Sequence, residues 1–267
     1  MYQISFIGAG QMGSAIAKGL VKSGKYKADE ICVCARTETK LKALNEEFGF
    51  SYTTSTKEAC EKLSSNGVLI IAVKPQGVKE LLENLDQLPE TITLVSVLAG
   101  TKIKTFEDKF PKNPIIRVMP NTPSQISKGA SVLAPNANCS EAQIQNCKEI
   151  FESIGLALVL SEDKLDIVTA LSGSGPAYVF HMIEAMTEAA VKLGLDEDSA
   201  KALAIQTVYG AASLVKETGE EAADLRVKVT SPNGTTQAGL ESLYKSNLKE
   251  VMFKALEAAK KRSIELS

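Results

Sequence analysis

Tryptophan is missing from this chain, and histidine occurs once, as His181. One histidine leaves no His-based metal site within a single chain, so no metal is expected. Cysteine is sparse as well. Cys32, Cys34, Cys60, Cys139 and Cys147 form an odd set without metal-ligand spacing, and a chain of 267 residues needs no disulfide staples. A reducing compartment is expected. There is no excess of either charge: 30 Lys and Arg face 32 Asp and Glu, for a net charge of -2. Neither nucleic acid nor an anionic membrane is therefore an expected partner. The longest apolar run, Val68 to Val73, is far too short to span a bilayer. Met1 to Ile7 carries no basic n-region and no small-residue cleavage site, so no signal peptide is expected and the location should be cytoplasmic. No internal repeat and no low-complexity segment interrupts the chain.

What is present is an ordinary globular composition, 44% hydrophobic and 23% charged. The first part alternates apolar runs with amphipathic stretches. Strands are predicted over Tyr2–Ile7, Glu30–Cys34, Val68–Val73, Thr91–Val97 and Ile115–Met119, with Ala130–Ala134 and Ala157–Leu160 closing an edge. Helices are predicted over Gln11–Ser23, Glu38–Phe48, Gly77–Leu85 and about Ser140–Ser153. This alternation indicates a parallel sheet covered on both faces. After about residue 161 only helices are predicted: Lys164–Leu171, Ala177–Leu193, Asp196–Glu217, Glu221–Val229, Thr236–Tyr244 and Leu248–Ile264. The expected fold class is α/β, an N-terminal doubly wound sheet of Rossmann type over residues 1–161 followed by an all-helical dimerisation domain over residues 162–267. In the Asp196 segment Ala200, Leu203, Ala204, Thr207, Val208, Ala211, Leu214 and Val215 follow helical spacing, while Ala202, Ile205 and Ala212 lie on the opposite side. A helix apolar on most sides is usually buried on most sides, and about a hundred helical residues offer limited cover. An intertwined homodimer is therefore expected.

Phe6-Ile7-Gly8-Ala9-Gly10-Gln11-Met12-Gly13 places a G-x-G-x-x-G between the first strand and a helix. Gly8 makes the tight turn, Gly10 lets the backbone approach a pyrophosphate, and Gly13 lets helix and strand pack. The helix start at Gln11 and Met12 adds free N–H groups and partial positive charge. A dinucleotide is the expected cofactor. Three turn glycines in an unliganded α/β domain are the bland alternative. At the end of the second strand, where an NAD site carries an acidic residue, the chain reads Cys34-Ala35-Arg36-Thr37. Arg36 can take a 2′-phosphate and Thr37 can add a hydroxyl, which favours NADPH. An Arg36 that merely stacks on adenine permits NADH as well. Ala72-Val73-Lys74-Pro75 ends the next apolar strand on the ligand side of such a sheet. Lys74 is there either a charged cofactor contact or a solvated lysine before a turn. Ser96 to Gly100 ends a further strand, and Ala99 suits a wall beside the nicotinamide.

Three segments rich in Gly, Ser, Pro and Thr remain: Arg117–Pro123, Leu171–Tyr178 and Thr230–Gln237. In the second, Pro176 suits the first helical position after a Ser/Gly-rich loop, which offers N–H groups to an anion. In the third, a turn leads to Thr235 or Thr236 as a helix cap. Together the two can bind a small carboxylate, or they are capped breaks between helices. Asn121 can bond the cofactor or its own turn. His181, among Val179, Phe180 and Met182, is more often core or rim than a catalyst. Tyr178 can pack or reach the substrate.

In this order, Phe6–Gly13, Ala72–Gln76, Ser96–Gly100, Arg117–Pro123, Ala170–Tyr178 and Val229–Gly239 resemble the pyrroline-5-carboxylate reductase family over nearly the whole chain. The family signature usually has two glycines after Ser-Pro. Asn233 stands at the first of them here, and asparagine tolerates left-handed backbone, so little effect is expected. The resemblance implies reduction of 1-pyrroline-5-carboxylate to L-proline with NAD(P)H. It also implies a homodimer with swapped helical domains, often assembled into a ring of dimers, in which the partner subunit completes each active site. The family's carboxylate-binding residues carry over to Ser174, Gly175 and the Gly234-Thr235-Thr236 loop, and its candidate proton donor or nitrogen ligand to Thr236. This chemistry needs no strong acid such as Lys or His. The imine nitrogen is basic, so it arrives protonated or takes a proton from water or a hydroxyl, and positioning is the main task. A β-hydroxyacid dehydrogenase is the runner-up. It needs a lysine on its substrate helix, but Ala177 to Thr187 has none and Lys192 lies about four turns on. A dinucleotide sensor leaves both substrate loops without a purpose.

Overall fold

The computed structural model of the chain describes residues 1–266. It divides into two compact units: Met1–Ser174 together with the chain from Ala259 onward, and Gly175–Ala258.

The first unit is built on β1 (Tyr2–Ile7), α1 (Gln11–Lys22), β2 (Ile31–Cys34), α2 (Glu38–Phe48), β3 (Ser51–Thr53), α3 (Thr56–Glu61), β4 (Leu63–Ile71), α4 (Val78–Asn84), β5 (Thr93–Ser96), α5 (Ile103–Glu107), β6 (Ile115–Met119), β7 (Gly129–Pro135), α6 (Glu141–Glu152) and β8 (Gly155–Val159). The eight strands form one sheet in the order β3-β2-β1-β4-β5-β6-β7-β8. Chain order reverses between β1 and β4, which makes the carboxyl end of β1 the switch point of a doubly wound sheet. Alternation along the strands divides the core in two. Ile4, Phe6, Val68 and Ile70 face a layer with Ile16 and Leu20 of α1 and Ile150 and Phe151 of α6. Ile7, Leu69 and Ile71 face the opposite layer with Leu82 of α4 and Phe106 of α5. Every second residue thus enters the same layer, and strands buried on both faces read as unbroken apolar runs.

Two expectations need correction. The sheet is not wholly parallel: β7 runs antiparallel to β6, pairing Arg117 with Ala134 and Met119 with Val132. The connection over residues 120–128 holds only the 3-10 turn Thr122–Ile126, and a parallel return needs a crossover of about a dozen residues or more. The second correction concerns short elements. β3, α3 and α5 are present though not expected, because three to six residues are too few to show a period. β4 also starts early, at Leu63, because the polar Ser64, Ser65 and Asn66 mask its first half.

Beyond β8 come α7 (Leu165–Val168) and a π-helical turn over Thr169–Gly173. The second unit contains α8 (Gly175–Lys192), α9 (Glu197–Thr218), α10 (Ala222–Lys228), α11 (Thr235–Lys245) and the start of α12 (Leu248–Glu265). Asp196 caps α9 by accepting the Ser199 N–H at 2.9 Å, and Gly219 ends it with a left-handed backbone. Of the apolar residues of α9 only Ala200 and Ala204 are buried within the chain.

Candidate functional site

The turn after β1 is shaped by two glycines that admit no side chain. Gly8 has φ +114°, and a Cβ there would lie 2.4 Å from the Ala72 carbonyl oxygen. A Cβ on Gly13 would lie 2.3 Å from the Gly8 carbonyl oxygen. Gly8 is pinned from both sides: its N–H donates to Cys34 O at 2.8 Å, and the Ala72 N–H donates to Ile7 O at 2.8 Å. Gly10 differs. It is exposed and φ-normal, and its nearest neighbour to an added Cβ is Ala72 O at 3.9 Å. It caps α1 without any side-chain cap, and among the described residues nothing accepts from the N–H groups of Gln11 and Met12. The result is a backbone cradle at a positive helix end, open where Gly10 stands.

Arg36 and Thr37 follow β2 on the exposed side. Among the described residues Arg36 has no ion pair, and Thr37 starts α2 without a side-chain cap. Both are free for a ligand. Cys34 beside them is buried, and burial pushes its thiol up, so it packs rather than attacks. After β4, Ala72 and Val73 are half-buried, whereas Lys74 and Pro75 are exposed at the entrance of a 3-10 turn. Ala99 is exposed after β5. Gly8, Gly10, Gln11, Met12, Gly13, Ala72, Val73, Lys74, Pro75 and Ala99 therefore follow the carboxyl ends of neighbouring strands, with Arg36 and Thr37 one strand away. The glycine turn, which admits no side chain at Gly8 or Gly13 and leaves Gly10 open, fits a dinucleotide. Among the described residues no group of three His, Cys, Asp or Glu can hold a metal ion.

The Asn121 carbonyl accepts the Ser124 N–H of its own turn at 3.2 Å, but its side chain bonds elsewhere. Its Oδ1 accepts the Ala130 N–H at 2.9 Å and its Nδ2 donates to Ser172 O at 3.0 Å. The Ser/Gly-rich segment is likewise not the loop expected. Thr169–Gly173 is a π-helical turn, Ser174 has helical dihedrals, and α8 begins at Gly175, one residue before Pro176. The Ser174 N–H is spent on Thr169 O at 2.8 Å, so it cannot serve an anion, but among the described residues the Ser174 hydroxyl has no partner.

In the second unit the third segment also shifts by one residue. Gly234 caps α11, so Thr235 and Thr236 lie inside its first turn and neither caps it. The Asn233 N–H donates to Gln237 Oε1 at 2.8 Å, and Asn233 adopts φ +58°, the left-handed conformation expected of it. Among the described residues no acceptor takes the N–H groups of Thr235 and Thr236 or their hydroxyls. His181 is exposed and lies 3.4 Å from Glu184. It has no structural sign of catalysis.

One feature escaped the sequence reading. Arg117 is buried in β6, and its Nη1 meets Glu162 Oε1 at 3.1 Å; the same oxygen accepts the Ile103 N–H at 2.8 Å. An arginine inside Ile-Ile-Arg-Val-Met is itself the signal, because a buried charge requires a partner.

A glycine cradle of this form at the switch point places the chain among the Rossmann-type nicotinamide-dinucleotide oxidoreductases. Comparison with known proteins agrees. Residues 3–100 match the family "NADP oxidoreductase coenzyme F420-dependent", and residues 162–266 match "Pyrroline-5-carboxylate reductase dimerisation". A pyrroline-5-carboxylate reductase of Methanosarcina acetivorans is 38% identical over 99% of this chain and 97% of its own length. The structure of a pyrroline-5-carboxylate reductase from Coxiella burnetii superposes with a TM-score of 0.92 at 38% identity, covering 100% of this chain and 98% of that one. The Plasmodium falciparum enzyme with NADP bound gives 0.85 at 31% identity, covering 99% and 98%. The chain belongs to the pyrroline-5-carboxylate reductase family.

Proposed function

We propose that the chain reduces 1-pyrroline-5-carboxylate to L-proline with NAD(P)H, the last step of proline biosynthesis. The observation that carries this is the full-length kinship with reductases of that name, 38% identical over 99% of the chain. The bound dinucleotide supplies the hydride. Residues 1–161 hold it: Gly8 and Gly13 shape the turn, Gly10 leaves room for the pyrophosphate, and the Gln11 and Met12 N–H groups face it. Ala72, Val73, Lys74, Pro75 and Ala99 line its path. Arg36 and Thr37, whose side chains have no partner among the described residues, support NADPH as the preferred cofactor, with NADH also accepted.

Residues 162–267 take the substrate and dimerise. The Ser174 hydroxyl, Gly175 and the Gly234-Thr235-Thr236 turn hold the carboxylate by neutral donors, which needs no basic side chain. The Thr236 hydroxyl stands by the ring nitrogen as proton donor. A weak donor suffices because the nitrogen is itself basic, unlike a developing alkoxide. The exposed apolar residues of α8 and α9 support a dimer; the family resemblance implies that its helical domains are swapped and that dimers build further into a ring. Five unpaired cysteines support a cytoplasmic setting.

The test is nicotinamide absorbance of purified protein with NADPH or NADH, and with the imine or a small β-keto acid. Oxidation with the imine alone, yielding proline, is expected. Turnover with the β-keto acid and none with the imine overturns the reading. Arg36→Ala should weaken NADPH about ten- to a hundredfold, the loss of a hydrogen bond to a charged group, and leave NADH almost unchanged.

A further inference from the structure

We propose that Asn121 is a positioning residue for the reduction: its amide fixes the π-helical turn Thr169–Gly173 and, through it, the hydroxyl of Ser174. The inference rests on the reading of Ser174 as a carboxylate ligand.

Ser172 O is a carbonyl whose α-helical donor the sequence removes. In an α-helix Ser172 O would accept from the residue four positions on. That residue is Pro176, which has no N–H. A partly buried carbonyl is destabilised unless a donor reaches it. Asn121 is that donor, through Nδ2 at 3.0 Å. The orientation of the amide is fixed by chemistry. The Ala130 N–H at its other end can only donate, so the atom facing it must be Oδ1 and the atom facing Ser172 O must be Nδ2. Ala130 lies in β7, a buried part of the sheet, so the amide is anchored on a rigid element.

Met119, two residues earlier, fills the space beside the turn: a Cβ on Gly173 would lie 2.6 Å from its Cε. On the far side the turn is held from within. Thr169 Oγ1 donates to Leu165 O at 2.7 Å, Ser172 Oγ donates to Val168 O at 3.1 Å, and the Ser174 N–H reaches back to Thr169 O. The one side-chain hydrogen bond that ties the turn to the sheet is therefore that of Asn121, among the described residues. Ser174, next in the chain, carries a hydroxyl with nothing to hold it but this geometry. π-Turns of this kind recur at functional sites. Each polar atom of Asn121 has a partner inside the fold, which points to a place in the scaffold of the substrate site.

The test uses Asn121→Asp in the full-length protein. It is isosteric, keeps the acceptor for Ala130 N and sets an acceptor against Ser172 O. Asn121→Ala, which removes both bonds, is the second variant. Three quantities are read: the NADPH Kd by nicotinamide fluorescence, the KM for 1-pyrroline-5-carboxylate, and kcat. NADPH binding also serves as the check on folding. The expected result is an NADPH Kd within about twofold of wild type and a kcat/KM for the imine lowered at least about tenfold, the scale of a misplaced substrate. Added to Ser174→Ala, Asn121→Asp should cost little more, since both act through one hydroxyl. A raised NADPH Kd with an unchanged imine KM overturns the proposal in favour of a direct cofactor contact. Full additivity with Ser174→Ala overturns it too. If Ser174→Ala alone leaves the imine KM unchanged, the reading of Ser174 is wrong and the route from Asn121 falls with it. An impaired Ser174→Ala beside an unimpaired Asn121→Asp overturns the role of Asn121 alone.

Discussion

Gly8 and Gly10 belong to one motif yet carry different burdens. Gly8 stands at φ +114° against the Ala72 carbonyl, a conformation that an L side chain rarely adopts. Gly10 has ordinary φ and open space, so its lack of a side chain serves only what lies outside the chain. Gly8→Ala should thus lower stability by at least about 1–3 kcal/mol, visible as a lower Tm without ligand. Gly10→Ala should leave the ligand-free Tm almost unchanged while abolishing the Tm rise that NADPH gives the wild type. Equal loss of Tm in both variants contradicts this division. The motif was legible in sequence because its three glycines follow a strand. The partners of Asn121 were not, since Ala130 lies in the next strand and Ser172 lies 51 residues along the chain.

Elements add what single residues do not show. The Ser172–Pro176 stretch reads as a loop by composition, but it is the continuation of a helix through one wide turn. Gly and Ser weaken an α-helix without forbidding helical dihedrals, and an external donor decides the outcome. A similar one-residue shift puts the cap of α11 on Gly234 and leaves Thr235 and Thr236 with free hydroxyls. Helix ends are weakly set by sequence where several residues can cap. Where one residue dominates, the structure follows it, as at Asp196. Its carboxylate accepts the Ser199 backbone N–H, with help from the Ser199 side chain, and this holds it below the ordinary 3.8. A folded-state value lowered in this way gives stability present above the ordinary pKa and lost as pH falls through the folded one. The Tm deficit of Asp196→Ala should therefore be constant from pH 7 down to about 5 and shrink below the ordinary carboxylate range. A deficit independent of pH to 2 means the carboxylate charge does not matter.

At the scale of the whole molecule the helical unit is unfinished as a single chain. Phe180, Leu203 and Tyr209 are each 58% exposed, and Ile205 and Leu214 are 44% and 49% exposed. Apolar faces of that extent mark an interaction surface. In light scattering the protein should run as a dimer or larger, and Leu203→Glu with Tyr209→Glu should yield smaller species and lower the imine activity. A monomeric wild type that is fully active would refute this. The dimerisation family matched over residues 162–266 accords with association, and no described helix is long and apolar enough to cross a membrane instead.

The sequence by itself determined the period of each long element and the place of the phosphate cradle. These depend on local pattern and residue type. It also carried the family resemblance, because the motif strings lie along the whole chain. Only the tertiary structure decided that β7 runs antiparallel, that Glu162 neutralises Arg117, and that Asn121 holds the turn before Ser174. Each is a pairing between residues outside one element, decided by which unpaired donor, acceptor or charge the fold brings within about 3 Å of another.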